Sequence, residues 1–179
     1  TRSVEQGFKA SINLSIKELS ERWQKEQKVY YWPDVAKRED PIDFSHKRLT
    51  DHKKNNNFYN TSPAISPQGD KVAFISDRDD YFDIFLMSTT DGKIIKKLVN
   101  GQRTNNFEEL HLLMPGLTWS PDGKSIAVAV KAGERDAIII INVETKKEQK
   151  ITFDLDGIFS VEWSHDGSKL AFVGLKTPQ

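Results

Sequence analysis

The most charged loop of the sequence carries four carboxylates within seven residues, from Asp77 to Asp83. Oxygen ligands at this density could hold Ca²⁺, but the spacing is not that of an EF-hand loop and no glycine marks its sharp bend. We therefore favour a turn in which Asp77 binds backbone amides and Arg78 pairs with a neighbouring repeat. The prediction is that the chain holds no metal and no cofactor.

The other side chains capable of chemistry do not form a catalytic set. The four histidines (His46, His52, His111 and His165) lie far apart and show no zinc-ligand spacing. The sequence has no His-Glu-x-x-His helix, no Gly-x-Ser-x-Gly elbow and no glycine-rich phosphate loop. We therefore predict that this chain is not an enzyme.

Composition narrows the classes of partner. Lys plus Arg and Asp plus Glu both number 26, so the formal net charge is zero and no basic field favours nucleic acid or anionic membranes. No apolar run approaches the roughly 18 residues that cross a bilayer, so we predict no direct membrane insertion. Cysteine is absent, which excludes disulfides.

One hairpin motif occurs three times in the sequence, and the strands of these hairpins must position the loops described above. Each copy has a serine, a turn that contains glycine and a following apolar strand; the motif residues are Ser66, Pro67 and Gly69, then Trp119, Ser120, Pro121, Asp122 and Gly123, then Trp163, Ser164, Asp166 and Gly167. The serines stand 54 residues (Ser66 to Ser120) and 44 residues (Ser120 to Ser164) apart, a period typical of four-stranded propeller blades. The two tryptophans at equivalent positions are predicted to pack between adjacent blades.

The strand pattern divides the repeat region, residues 58–179, into units at 58–101, 115–153 and 158–179. Predicted strands lie at 63–66, 71–76, 83–88 and 94–99, at 117–120, 125–131, 137–143 and 148–153, and at 161–164 and 169–174. The fold class is therefore all-β, a partial β-propeller with two full four-stranded blades plus half of a third. A short α-helical segment precedes it.

Residues 1–34 are predicted to be this helical segment. Ser15 and Glu18 form a capping box that starts a helix at Ile16. We expect the helix to run to about Tyr31, because Pro33 opposes continuation. One apolar face, made of Ile16, Leu19, Trp23 and Tyr30, should dock on something. Residues 35–57 are predicted to be an extended connector.

An insertion of about ten residues, within 102–114, is expected between the last strand of the first blade and the first strand of the second. Its apolar residues have a helical or staple-like spacing; they are Phe107, Leu110, Leu113 and Met114. In an antiparallel blade this connection leaves from the same end as the loops at 77–83, 133–136 and 154–157. We predict that this end binds the partner, through Asp79, Asp80, Tyr81, Arg103, Phe107, Leu110 and Arg135. The alternative is that the insertion packs on the N-terminal helical segment.

The hairpin motif Trp-Ser-Pro-Asp-Gly-Lys, the run Ser76-Asp77-Arg78-Asp79 and the strand that starts at Asp83 resemble the TolB-type propeller repeat, a relative of the WD-repeat family, over about 58–179. Gln68 and His165 depart from the motif. The resemblance implies a six- or seven-bladed ring, exported to the bacterial periplasm or cell surface, that binds a protein or peptide. A weaker implication is a carbohydrate-binding propeller, for which Tyr81, Phe82 and Phe107 are candidate aromatics.

Residues 7–34 also resemble the helical tail that follows a zincin-like peptidase domain in some bacterial proteins. This resemblance implies an alternative function, an accessory propeller that gates substrate for a secreted metallopeptidase whose catalytic domain lies upstream. Because two and a half blades cannot close a ring, we expect the chain to be a piece of a larger exported protein. The open blade edges otherwise predict self-association.

Overall fold

The computed structural model describes residues 4–35, 37–38, 45, 47–111 and 116–177. Two compact units divide the chain, Thr1–Arg48 and Leu49–Gln179. The first unit contains the helices α1 (Val4–Ile12) and α2 (Ile16–Val35). The second begins with the short helix α3 (His52–Asn55), inside the segment predicted to be extended, and continues as strands. Within the described ranges, no helix combines the length and apolarity that a membrane span requires.

Helix α2 starts where the capping box predicts. The Glu18 backbone N–H donates to Ser15 Oγ (3.1 Å), and Glu18 Oε2 accepts from the Ser15 backbone N–H (2.8 Å). The predicted end is wrong, because the helix continues through Pro33 to Val35. Proline has a helical φ but lacks an N–H, and its ring crowds the carbonyl oxygen four residues earlier, so the helix continues only two residues beyond it. Trp23 is 59% exposed, and docking of the apolar face stays a prediction.

The first blade is an antiparallel sheet of four strands in sequential order. Its strands are β1 (Asn60–Ile65), β2 (Lys71–Ser76), β3 (Asp83–Ser88) and β4 (Ile94–Val99). The bounds of β2, β3 and β4 are those predicted from the strand pattern of the repeats. Strand β1 begins three residues earlier than predicted, because Asn60 pairs with Ser76 beyond an irregularity in the strand.

We call the first strand of each unit its inner strand, and in the second blade this strand is divided into two short ones. Its strands are β5 (Glu109–Leu110), β6 (Leu117–Trp119), β7 (Ser125–Lys131), β8 (Asp136–Asn142) and β9 (Glu148–Thr152). Leu110 of β5 pairs with Val130, and Leu117 of β6 pairs with Val128, so both short strands line the same edge of β7. The third unit is the two-stranded sheet of β10 (Gly157–Trp163) and β11 (Leu170–Leu175). The described strands thus form a partial β-propeller, as predicted.

A bulge recurs at one position of each inner strand. In β1 the register shifts between Thr61 and Ala64, and in β10 it shifts between Phe159 and Glu162. Two residues fill each gap, and the first of them is a serine with positive φ in both strands, Ser62 (55°) and Ser160 (52°). In the second blade, six residues, 111–116, separate β5 from β6 at the equivalent position, and of these the structure describes His111 and Gly116.

This register corrects the predicted position of the insertion. Glu109–Leu110 is a strand of the second blade and not part of a helical loop before it. Part of the extra sequence therefore falls between β5 and β6, which pair with the same edge of β7. Leu113 and Met114, which completed the predicted helical spacing, lie outside the described residues.

The main core fills the space between the first two blades. Phe107 and Leu110 belong to it and are each 1% exposed. Their predicted role in partner binding is therefore wrong. Pairing of β5 with β7 carries these large apolar side chains between the sheets, where burial stabilises them by about 1.5–3 kcal/mol each. A second cluster, centred on Ala127, Ala129 and Ile138, packs between the second blade and β10–β11.

Candidate functional site

The candidate site lies at one end of the blades, which we call the loop face. It consists of the loops at 77–82, 100–108, 132–135 and 153–156. The pairs Ser76 with Asp83 and Lys131 with Asp136 close the two blades at this end. Residues 57–59 share it, because Asn60 at the start of β1 pairs with Ser76.

Asp77 anchors the chain that enters β1. Its carboxylate accepts hydrogen bonds from the backbone N–H groups of Phe58 (3.1 Å) and Tyr59 (2.9 Å). Burial alone would raise the pKa of Asp77, but these backbone hydrogen bonds outweigh burial and hold the pKa below its usual value. The prediction that Asp77 binds backbone amides is confirmed.

Arg78 does not pair with a neighbouring blade, and that part of the prediction is wrong. Its guanidinium lies over the rings of Phe74 and Phe85, 5.2 and 5.0 Å from their centroids, on its own blade. The flat cation covers apolar surface and interacts with both π-faces. Arg78 therefore covers apolar surface of its own blade, while its charge still interacts with that of Asp79 in the same loop.

Lys97 joins two of the loop carboxylates. Its Nζ forms short ion pairs with Asp79 and with the fully buried Asp83. Burial lowers the pKa of Lys97, but the hydrogen bonds to Asp79 and Asp83 outweigh burial and raise it. Asp83 also accepts the Gly101 backbone N–H at 2.9 Å. Among the described residues, no group of three or more His, Cys, Asp or Glu side chains is placed to hold a metal ion.

Four aromatic side chains form what we call the aromatic platform: Phe58, Tyr59, Tyr81 and Phe82. Phe58 is 85% exposed, Tyr59 is 56% exposed and Tyr81 is 43% exposed. The rings of Tyr59 and Phe82 are 5.7 Å apart between centroids. Phe82 also packs against the main core, so the platform rests on the blade interior.

Arg103 links the platform to the acidic loop. Its guanidinium lies 4.1 Å from the centroid of the Tyr81 ring, and its Nη2 donates to the carbonyl oxygen of Asp79 at 3.2 Å. Asp80, also exposed, has a φ of 71° and donates its N–H to the Asp77 carbonyl oxygen. The structure thus brings together four of the residues predicted to bind a partner: Asp79, Asp80, Tyr81 and Arg103.

Sequence reasoning missed Phe58 and Tyr59. The available signal is the adjacent aromatic pair in Asn57-Phe58-Tyr59-Asn60, immediately before a strand. The pair precedes β1 and lies outside the strand pattern, so that pattern assigns neither ring to a core. The predicted strand started at residue 63, which left this pair in an unassigned segment.

Arg135, another predicted partner residue, makes a local ion pair. It contacts Asp154, which is also 2.9 Å from Lys176 Nζ. Lys176 and Arg135 together lower the pKa of Asp154 to about 2. Both side chains of the Arg135–Asp154 pair are mostly exposed, so the pair contributes little to stability.

A buried carboxylate ties the second blade to the third. Asp136 Oδ2 accepts the backbone N–H of Ile158 at 2.8 Å and lies 3.0 Å from His111 Nε2. The His111 ring in turn lies 5.4 Å from that of Phe159. His111 is therefore part of a junction between blades.

The motif residues build the turns at the opposite end of the blades. Ser120 Oγ donates to Asp122 Oδ1 (2.6 Å), and Ser164 Oγ donates to Asp166 Oδ1 (2.6 Å). In the first copy, Asp70 takes this role, because Ser66 Oγ donates to Asp70 Oδ1 (2.9 Å). The carboxylate thus moves by two positions where Gln68 interrupts the motif. These residues shape the hairpins and lie away from the loop face.

Comparison with known proteins supports a propeller. The family model described as the anaphase-promoting complex subunit 4 WD40 domain matches residues 80–166. The uncharacterized peptidase YuxL of Bacillus subtilis (strain 168) is 30% identical over 111 residues, which cover 62% of this chain and 15% of YuxL.

Solved structures show the same fold. TolB from Acinetobacter baumannii has a TM-score of 0.53 at 20% identity, with 65% of this chain and 27% of TolB covered. The putative TolB from Agrobacterium tumefaciens has a TM-score of 0.56 at 23% identity, with 72% and 41% covered. The oligogalacturonate lyase from Vibrio parahaemolyticus has a TM-score of 0.51 at 21% identity, with 69% and 30% covered. The chain spans less than two thirds of each of these proteins.

Proposed function

Because the strands form blades of a TolB-like, WD40-type β-propeller, we propose that the chain is a non-catalytic module that binds a protein or peptide through its loop face. It acts within a larger bacterial protein that is exported to the periplasm or cell surface. The resemblance of the repeats and the short share of the relatives that the chain spans support this placement.

The aromatic platform is the observation that carries the proposal. Tyrosine and arginine are enriched among residues that dominate the energy of protein interfaces, and here Tyr59, Tyr81 and Arg103 lie on one exposed surface beside Phe58. The exposed apolar surface of Phe58, Tyr59 and Tyr81 costs free energy in water unless a partner covers it.

The platform is also held in place before binding. Asp77 fixes the N–H groups of Phe58 and Tyr59, and the Asn57 side-chain amide donates to the Tyr59 carbonyl oxygen at 2.8 Å. Asn57 itself is buried and donates to Ser76 Oγ as well. Ordering a segment before binding reduces the entropy lost on association. This arrangement supports a recognition surface in preference to a frayed end of the blade.

A peptide selection tests the proposal. Residues 1–179 would be immobilised and panned with a random peptide library displayed on phage, in parallel with the double variant Phe58→Ser and Tyr59→Ser. We expect enriched peptides that bind the wild-type chain at least tenfold more tightly than the variant. The control, Ile65→Ser, changes a residue that is 66% exposed at the other end of β1. No enrichment, or equal binding to both chains, would overturn the proposal.

A second candidate is an accessory propeller that positions substrate for a peptidase in the same protein. The match to YuxL, a protein described as a peptidase, favours it, and the resemblance of residues 7–34 to a zincin tail suggests a metallopeptidase upstream. The intact mass of the native protein, with peptide mapping on both sides of residues 1–179, tests it. An upstream His-Glu-x-x-His sequence supports this candidate, and flanking repeats without a catalytic domain contradict it.

A further inference from the structure

Resting on the proposed function, we infer that the aromatic platform recognises an extended peptide in which an apolar side chain stands next to a lysine or arginine. Phe58 and Tyr59 provide the surface for the apolar side chain. Asp80 and the aromatic faces beside it provide the site for the cation.

The apolar half of the inference follows from exposure and shape. A groove of about 290 Å³ lies beside Phe58 and is lined by His52, Lys53, Asn56, Asn57 and Phe58. Its size suits one or two side chains, not a folded domain. Asp77 binds the backbone N–H groups of Phe58 and Tyr59, so the groove at Phe58 lies next to the acidic loop.

The cationic half follows from which charges of the acidic loop are already neutralised. Asp79 and Asp83 share Lys97, and Asp77 is saturated by backbone N–H groups. Arg78, the cation within the loop, is turned onto Phe74 and Phe85. Arg103 donates to a carbonyl oxygen of the loop and not to a carboxylate.

Asp80 is the carboxylate that remains for a partner. It is exposed at the tip of the loop, and its N–H bond to the Asp77 carbonyl oxygen (3.1 Å) holds it beside Tyr81. The negative faces of tyrosine and phenylalanine rings attract cations as well. Arg103 already occupies one such ring, Tyr81, and shows the kind of contact that a partner's arginine would make on Tyr59.

Lys53 limits the partner to a short basic element. It lines the groove together with Phe58, and Lys54 follows it in α3. A polybasic segment would place like charges against these lysines. A single cation at the Asp80 end of the platform avoids this repulsion.

The test uses three fluorescein-labelled synthetic peptides of nine residues with the same central Trp-Leu pair, flanked by arginine, glutamine or glutamate. Fluorescence anisotropy would give the Kd of each for residues 1–179. We expect arginine to bind about two- to fivefold more tightly than glutamine and glutamate to bind most weakly, since an exposed cation contributes modestly.

Two variants separate the halves of the inference. Asp80→Asn should remove the preference for arginine while the glutamine peptide keeps its Kd, and Phe58→Ser should weaken all three peptides. The matched control is Glu144→Gln, an exposed carboxylate in the turn between β8 and β9 at the opposite end of the blades, which should change nothing. Equal Kd values for the three peptides, or tighter binding of the glutamate peptide, would overturn the inference and leave the proposed function intact. If none of the three binds and the phage selection also yields no peptide, the proposed function fails with it.

Discussion

The indole N–H of Trp119 donates to the backbone carbonyl oxygen of Ala64 at 2.9 Å and so joins the inner strands of the first two blades. Trp163 holds the same position in the next copy, before the motif serine, yet its buried Nε1 has no hydrogen-bond partner. The repeat therefore supplies two tryptophans of equal sequence context, of which one makes the bond across the junction.

Trp119→Phe should lower the free energy of unfolding by more than Trp163→Phe. The first change removes a bond and leaves the Ala64 carbonyl oxygen without its donor, at a cost of about 1–2 kcal/mol beyond the loss of packing. The second removes an N–H that is already unsatisfied. Urea unfolding monitored by circular dichroism gives both values. Equal losses would mean that the bond contributes nothing.

Phe107→Ala and Leu110→Ala should each destabilise the propeller unit. Both side chains fill the core between the blades, so their removal should cost about 3–5 and 2–5 kcal/mol, respectively. The same unfolding experiment applies, with Ile95→Ala, at a position that is 47% exposed, as the control. A loss below about 1 kcal/mol for both core variants would restore the view that these residues belong to a peripheral loop.

Asp136→Ala should cost about 2–3 kcal/mol, because it leaves the buried Ile158 N–H without an acceptor and His111 without its partner. Asp154→Ala serves as the matched control. It removes an exposed carboxylate that holds Arg135 and Lys176, and exposed pairs contribute at most about 1 kcal/mol. The reverse order of the two losses would contradict the role of Asp136 as a link between blades.

Gly69→Ala and Gly123→Ala test the hairpin turns. Both glycines have a positive φ, 74° and 70°, so a side chain should cost about 1–2 kcal/mol at each. A Cβ at residue 123 would lie 2.5 Å from the Gln68 side-chain oxygen, but this exposed, flexible side chain can turn away, and residue 69 has open space. The two variants should therefore lose similar free energies of unfolding, and no loss in either would contradict the positive-φ turns.

The turn of the third copy should make stability depend on pH. Hydrogen bonds from the Ser164 hydroxyl and from Ser168 lower the pKa of Asp166 to about 2. Since the folded pKa lies below the unfolded value near 3.9, the contribution is complete above pH 4 and is lost as the pH falls through 2. Melting temperatures between pH 5 and pH 2 should fall less steeply for Asp166→Asn than for the wild type. Glu134→Gln controls for the loss of a charge, and parallel curves for Asp166→Asn and the wild type would refute the effect.

The blade strands were predictable because local signals agree there. In β2, β3 and β7, a continuous run of apolar residues next to a turn with glycine marks the strand, and the structure has the predicted bounds there and in β4. The inner strands were less predictable, since their first halves lie beyond a bulge that interrupts the strand pairing. The pairing of Glu109–Leu110 with β7 depends on a partner about twenty residues away along the chain, which no local pattern reveals.

The site was predictable in part. The exposed acidic loop was identified from charge alone, whereas the contact of Arg103 with Tyr81 depends on the way two loops meet in space. Phe107 and Leu110 misled the prediction, because apolar spacing shows that residues are buried but not against what. Arg78 was misassigned for a related reason, since a guanidinium can be stabilised by aromatic rings as well as by a carboxylate.

The bulge at the centre of each inner strand has a consequence for protein engineering. Two residues stand at this position in β1 and β10, and six separate β5 from β6 in the second blade, yet β7 pairs with both β5 and β6. The number of residues at this position is therefore uncoupled from the strand register. A foreign epitope or reporter peptide grafted between Thr61 and Ala64 should be displayed without displacing any blade, whereas the same graft in β10 would displace Val161, which is 2% exposed in the core.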